Sequence, residues 1–518
     1  MVLLMLCIAF CISIRAGGLI LICYLWFFLF LHYFLKYWNE GRIILKDILR
    51  DLIWIALVSV AAFFMSALLL WPYALQDPVR NIFESYRIMA HYPATFRQIF
   101  EGAVEWSDFM PWYYLFKSMA LTIPVIVLSG LFIFVLLVRR SVKTGRLIFY
   151  GLLAFTVIFP MIFVVVEKSN LYSSWRQFLF VYPGMIIMAA SGFSFLIEPL
   201  KKKYFILAVT TVFLLLSIHP LWFMVRNHPY EYIYYNELTK GLKGAYGKYE
   251  TDYYYTSQTE ASKWLIDHLE KENIKGKIKI QATYSVDWFF REYPDVKTSW
   301  FRYEERSMSD WDYAIVVNRY IPPFQLYNKI WPPENAIHVI YADEVPICAV
   351  LERKSKNDLL GYQALKEKRY PEAIGYFKKA VEQDDGDEMI FYNFAGALYR
   401  NGQQQEADSV LKRGLEINPG SELILMYLGN IAKVHHRKEE AIGYYEKVIG
   451  ANRKYFDAYV ALSELLIESD LKKARVLLRA CLRMNPRFKP AIVALGDTYS
   501  STDPEVAKKY YERANSIN

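Results

Sequence analysis

No cluster of cysteine and histidine with metal-ligand spacing occurs in the 518 residues, which hold five cysteines and eight histidines. Cys7, Cys11 and Cys23 fall in apolar runs, while Cys348 and Cys481 lie in separate segments with strand and helix periodicity. All five read as thiols in apolar surroundings rather than a disulfide framework. The adjacent His435 and His436 have no further ligands at zinc spacing and read as a solvated turn. The extreme N-terminus lacks the charged n-region of a secretory signal peptide, and the chain reads as starting in the middle of a membrane protein. The net charge of +8 comes partly from basic clusters beside apolar blocks. It is therefore not the footprint of a nucleic-acid-binding surface. These residue types call for no metal and no cofactor.

Charge is also scarce inside long stretches before Phe223, and 54% of the whole chain is hydrophobic, too apolar for an ordinary soluble protein. A membrane-crossing helix needs about 20 apolar residues. By that criterion the runs 1–14, 19–35, 52–71, 118–138, 147–166, 178–196 and 204–224 make about seven helices, the first of them clipped. Lys36, Arg42, Lys46 and Arg50 mark one loop; Arg139, Arg140, Lys143 and Arg146 mark a second; Lys201, Lys202 and Lys203 mark a third. Cation-rich loops stay cytoplasmic. Arg15, the loops 72–111 and 167–177, and everything after Met224 are then expected on the outer, periplasmic side of an inner or plasma membrane.

The outer loops carry polar groups worth placing. Loop 72–111 is long enough to hold structure of its own or a function, and it ends near Trp106, Trp112, Tyr113, Tyr114 and Lys117. Lys117 reads either as a snorkelling side chain or as an anion contact. Trp175 and Arg176 stand at the mouth of the helix opening at Tyr182-Pro183; an arginine fork suits phosphate, and it also serves as an interfacial anchor. Arg15 is followed by Gly17-Gly18, which permits close approach of a helix or a ligand. Residues 226–255 then bring nine tyrosines together, as expected where the chain passes from lipid to water.

Four strings in order, SIRAGGLILICYL (13–25), PWYYLFKSMALTIP (111–124), SSWRQFLFVYP (173–183) and HPYEYIYYNEL with GAYGKYETDYY (228–254), together resemble the GT-C superfamily of polyprenol-phosphate-dependent glycosyltransferases. The nearest branch looks like bacterial relatives of the dolichyl-phosphate-mannose protein mannosyltransferases. The resemblance implies a membrane transferase that passes a sugar, with inversion, from a polyprenyl phosphate donor to an acceptor outside the membrane without a nucleotide cofactor. It also implies a catalytic carboxylate in a first outer loop that is not recognisable here, as though the N-terminal part of the domain were lacking. Glycosyl transfer to a hydroxyl needs a base and stabilisation of the leaving phosphate. Arg15, Lys117 and Arg176 are the candidates for the lipid phosphate, and Glu101 and Asp108 are weak candidates for the base. Trp175, His228, Asn236, Glu250 and Asp252 are the other groups expected near substrate.

The rest of the chain is water-soluble in composition. Residues 256–273 have helical spacing, with Ala261, Trp264, Leu265 and Leu269 on one face. Residues 277–284, 313–318, 336–341 and 345–351 read as strands, giving a small α/β module. From Asn357 a period of 33 to 34 residues sets in, with a small residue at Ala373, Ala407, Ala441, Ala474 and Ala507 and a large apolar residue four positions later. This is the tetratricopeptide pattern, about five helix pairs stacked into an all-α solenoid with a concave groove for a protein or peptide partner, or into a rigid spacer. The expected organisation is a partial transmembrane domain at 1–225, a junction and α/β module at 226–355, and the repeats at 356–518. Three functions fit it: a membrane glycosyltransferase with a recruiting arm, a non-catalytic membrane scaffold, or a lipid-carrier-binding protein.

Overall fold

The computed structural model describes residues 2–41, 44–90, 92–141, 144–200, 202–274, 276–383 and 386–517. Arg42, Lys143 and Lys201, three of the cations used above for orientation, lie outside them. The chain packs as two units, Met1–Phe96 with Ser107–Ile218, and Arg97–Trp106 with His219–Asn518.

The first unit is helical where apolar runs were expected. Among the described residues, five helices are long and apolar enough to cross a membrane, Ala16–Trp38, Leu45–Leu69, Arg146–Val166, Arg176–Ile197 and Lys203–Arg226, and the shorter Val2–Ile14 precedes them. Lys203–Arg226 is the most uncovered of them: Leu207, Leu214, Leu215 and Ile218 are each more than half exposed. Such a surface suits hydrocarbon, not water.

One expected helix is corrected. Run 118–138 is not a single rod but two helices, Tyr114–Thr122 and Val125–Ser141, with a bend of 114° between them. The cause is Pro124, whose ring pushes the preceding residue out of the helical region; Ile123 accordingly sits at φ −78°, ψ 133°. Helix Val125–Ser141 then crosses Tyr182–Ile197 backbone to backbone. A Cβ on Gly192 would fall 2.2 Å from the carbonyl oxygen of Gly130, an approach open only to glycine and typical of helices in lipid. Elsewhere the Ser13 hydroxyl lies 2.8 Å from Ala9 O and 2.7 Å from Ser66 O, tying Val2–Ile14 to its neighbour.

The second unit is built on a five-stranded sheet. Number the hairpin strands β1 (Arg97–Phe100) and β2 (Ala103–Trp106), then β3 (Ile278–Ala282), β4 (Val296–Trp300), β5 (Tyr313–Val317), β6 (Ala336–Ala342) and β7 (Val345–Glu352). The sheet order is β4-β3-β5-β7-β6; β3 runs parallel to β4 and β5, and β7 antiparallel to β5 and β6. Every residue of β5 is buried. Helix Ser257–Lys271 buries Ala261, Leu265 and Leu269.

Two elements were not expected from the sequence, β4 and the β1–β2 hairpin. The hairpin turns on Glu101 (φ 55°) and Gly102 (φ 81°), the two left-handed positions of a tight turn that matches strand twist. It lies between long apolar helices of the first unit, yet it packs on the second unit. Ile99 joins a core with Phe301, Trp311 and Trp331, the Phe100 ring meets Tyr249 at 5.8 Å, Arg97 pairs with Glu422 at 2.5 Å, and Trp106 donates to Asn452 Oδ1 at 2.8 Å.

Ten helices from Asn357–Lys366 to Pro504–Asn515 follow in antiparallel pairs. Ala373, Ala407, Ala441 and Ala474 are fully buried and Ala507 is 3% exposed, as closing positions between helices require. A glycine on the first helix faces an aromatic ring on the second in three repeats. A Cβ would meet the ring of Phe377 at 2.9 Å from Gly361, of Tyr445 at 2.6 Å from Gly429, and of Tyr511 at 2.7 Å from Gly496. Gly429→Val should therefore lower stability in urea by about 1–3 kcal/mol through overpacking. Gly375, with no atom within 4 Å of such a Cβ, is the control: Gly375→Ala should stabilise by about 0.5–1 kcal/mol.

Candidate functional site

In the first unit two of the sequence candidates, Trp175 and Arg176, stand on loop Glu167–Gln177. Its backbone is held in left-handed conformations at Lys168 (φ 50°), Ser173 (φ 55°) and Ser174 (φ 59°), positions that side-chain-bearing residues rarely adopt without compensation. The compensation comes from helix Tyr114–Thr122. The Tyr114 hydroxyl accepts from Ser174 N at 2.9 Å, and the Trp175 indole donates to Thr122 Oγ1 at 2.6 Å. Asn170 Nδ2 donates to Ala94 O at 2.6 Å, and Tyr172 packs on Phe96 at 4.8 Å.

Trp175 and Arg176 thus stand on a loop docked against the helix that carries Lys117. The Arg176 guanidinium lies 5.0 Å from the centre of the Tyr172 ring, and Lys117 Nζ 5.9 Å from that of Tyr113. Three buried side-chain oxygens of this loop, Asn170 Oδ1, Ser174 Oγ and Gln177 Oε1, have no hydrogen-bond partner. Burial without a partner costs each of them about 1–3 kcal/mol. Arg15 sits elsewhere, exposed at the turn after Val2–Ile14, where Gly18 closes on the backbone of Cys11 and Ile12. Of the two base candidates, Asp108 belongs to this unit and is exposed, whereas Glu101 is at the tip of the hairpin on the other.

The tyrosine-rich junction folds with the second unit. Tyr230, Tyr234 and Tyr235 are buried, because their hydroxyls find partners within the second unit. Tyr230 donates to Glu260 Oε2 at 2.6 Å and Tyr235 to Glu250 O at 2.8 Å. Asp252, fully buried, accepts from Tyr232, from Ser257 and from Thr256 N. Burial raises its pKa, with the hydrogen bonds acting the other way. Glu250 is paired at 3.1 Å with Arg319. Burial opposes the charge on Arg319, but Glu250 and the nearby tyrosines outweigh it and raise the pKa. Asn236 is fully buried and accepts from Leu238 N at 3.0 Å, capping a short turn. His228 is exposed and 2.6 Å from Glu231. Glu250 and Asp252 are therefore each held in buried polar contacts of the second unit.

The second unit also carries a groove of about 870 Å³ along the first helices of the early repeats. Tyr392, Tyr399 and Tyr427 form its aromatic floor, the rings of the first two meeting Tyr427 edge-on at 5.6 and 6.1 Å. Burial raises the Tyr427 pKa while Arg400 lowers it.

Residues 364–430 match the tetratricopeptide repeat family. Solved structures similar to the chain include MamA, at 22% identity over 30% of this chain and 92% of that one with a TM-score of 0.28. A second is MamA (41-end) from Desulfovibrio magneticus RS-1, at 18% identity over 31% of this chain and 92% of that one, TM-score 0.29. A third is YrrB, described as a tetratricopeptide protein with an unusual peptide-binding site, at 18% identity over 30% and 82%, TM-score 0.27. No curated protein matches the chain.

The tetratricopeptide array is a protein-interaction module, and several residues of both sites were missed in the sequence. Arg319 gave no signal, since its partner Glu250 is distant in the chain. Asn170, Ser174 and Gln177 had one, polar side chains in a short loop between apolar runs. Tyr392 and Tyr399 had another: seven residues apart, they share one face of a helix.

Proposed function

We propose that this chain is an integral membrane protein of GT-C transferase type. Its membrane unit holds a polyprenyl phosphate sugar donor, and its tetratricopeptide array, on the outer side, recruits a polypeptide partner or acceptor. The observation that carries the donor reading is the strained Glu167–Gln177 loop, which bears Arg176 and three unpartnered buried oxygens. The hydroxyls of a sugar and bound water supply donors for such oxygens, while arginine pairs the phosphate bidentately. Asp108 is the carboxylate of this unit assigned the base role, and Lys117 and Arg15 the remaining phosphate contacts. The domain limits 1–225, 226–355 and 356–518 belong to the same reading.

In detergent, a hundredfold excess of polyprenyl phosphate over its Kd should stabilise the purified chain by about 2.7 kcal/mol, and Arg176→Ala should abolish the gain. Equal shifts in both proteins would remove the phosphate role. A non-catalytic membrane scaffold is the second reading. It draws support from Glu101, which lies at the hairpin tip in the other unit and leaves the membrane unit without that carboxylate.

A further inference from the structure

Three parallel strands of the sheet end side by side, and each ends in an aromatic residue that the fold leaves uncovered. Tyr284 follows β3, Trp300 closes β4 and Tyr320 follows β5; they are 52%, 60% and 42% exposed. The chain leaves β3 toward β4 on one side and leaves β5 toward β6 on the other. Loops that diverge in this way open a crevice at the carboxyl ends of the strands, where open α/β sheets take their ligands. Here a fourth ring joins the two loops. Tyr255 stacks on Tyr284 at 4.3 Å with 8° between the planes and on Tyr320 at 6.1 Å with 17°, its hydroxyl 2.5 Å from that of Tyr320.

The rings are held from behind. Tyr255 keeps a left-handed backbone at φ 57°, a costly conformation of the kind found at ligand clamps. The buried Arg319 side chain compensates: its Nη1 donates to Tyr253 O and to the Tyr255 hydroxyl, each at 3.0 Å, while its Nη2 pairs with Glu250. Asn318, fully buried, accepts from Thr251 at 2.8 Å and donates to Pro346 O at 3.1 Å, which fixes the backbone leading to Tyr320. The Trp300 indole donates to Thr283 O at 3.1 Å, next to Tyr284 in the chain. Rings that are ordered in advance lose little entropy when a ligand arrives.

We infer that this face is a carbohydrate-binding platform, with pyranose units of a glycan lying on Tyr284 and Trp300. The C–H bonds on one face of a pyranose are slightly positive and rest against the negative face of an aromatic ring. The hydroxyls at the rim of the sugar then reach the Tyr320 hydroxyl and the exposed Asp287 carboxylate, which accepts from Ser285 Oγ at 3.2 Å and from Thr298. A bilayer surface suits the platform less, because anionic headgroups call for Lys and Arg beside the rings, and the group held there by Ser285 and Thr298 is a carboxylate. The inference concerns the second unit alone and goes beyond the lipid-phosphate reading; either can fail without the other.

The test applies the full chain, fluorescently labelled and in a detergent without a sugar headgroup, to a printed glycan array at a concentration below saturation. The chain should bind one or more of the glycans, and Tyr284→Ala and Trp300→Ala should each cut that signal about tenfold, the loss of one stacked ring. Tyr284→Phe keeps the ring and should stay within about threefold of wild type. Both side chains are more than half exposed, and if Trp300→Ala unsettles β4 the two Tyr284 variants decide the matter. Arg176→Ala should leave the array signal unchanged. An array with no bound glycan, or one read equally by wild type and Tyr284→Ala, overturns the inference. So does quenching of Trp300 emission, taken as the difference between wild type and Trp300→Phe, by nitroxide-labelled lipid headgroups in liposomes, which would lay the platform on a bilayer.

Discussion

Asp387→Ala is expected to lower the stability of the second unit by about 3–5 kcal/mol, because it leaves a buried guanidinium without its carboxylate. Asp387 is 1% exposed and its Oδ2 lies 3.5 Å from Arg306 Nε, with both side chains almost fully buried. Its other oxygen accepts from Met389 N at 2.9 Å, capping helix Glu388–Arg400, and a lost cap alone costs about 1 kcal/mol. Arg306 is further fixed by Tyr303, whose ring lies 4.0 Å from the guanidinium carbon and whose carbonyl accepts at 3.2 Å. The pair joins the sheet module to the repeats. Urea unfolding measures the loss. A double variant, Arg306→Leu with Asp387→Leu, should recover much of it, since replacing both charges avoids the uncompensated one.

The next residue is expected to behave in the opposite sense. Glu388 is half-buried as a residue, but its Oε2 is shut off and has no hydrogen-bond partner. Burial, with Glu422 and Asp387 adding to it against hydrogen bonds from Asn418 and Ser421, pushes its pKa up to about 7. The sign follows from proton binding. Between the ordinary glutamate range and about 7 the folded state holds a proton that the unfolded chain has released. Stability is then full below the unfolded pKa and is lost as pH rises through the folded one. A shift of this size corresponds to roughly 3 kcal/mol. Glu388→Gln should therefore raise stability at pH 8 by up to that amount, leave it nearly unchanged at pH 4, and flatten the decline between. Urea midpoints across pH 4–8 decide it; a wild type whose stability does not fall over that range would remove the argument.

The parts of the fold legible in sequence are those governed by local periodicity. Apolar runs gave the long apolar helices, and the spacing of Ala373 to Ala507 gave the repeats, because each depends on local pattern. The break at Pro124 was written in the chain, yet the apolar run on both sides of it hid the proline. Strand β4 has little apolar pattern, since it is an edge strand with Val296 and Thr298 half-buried and the rest exposed. The hairpin could not be assigned from its own residues: its burial comes from Trp311, Trp331 and Tyr249, which lie far along the chain. The candidate sites divide the same way. Trp175 and Arg176 stood out as a pair beside a helix opening, while Tyr284 and Tyr320 lie far apart in the chain until the sheet brings their rings to Tyr255.

The same hairpin limits how the chain can thread a bilayer. Arg97–Trp106 and His219–Asn518 build one unit. If that unit lies on one side of a bilayer, the number of crossings between the hairpin and Asn227 is even. If Arg146–Val166, Arg176–Ile197 and Lys203–Arg226 all cross, they supply three. Under those two conditions the bent pair Tyr114–Thr122 and Val125–Arg140 would supply the fourth, and its 114° bend would be a kink within one traverse.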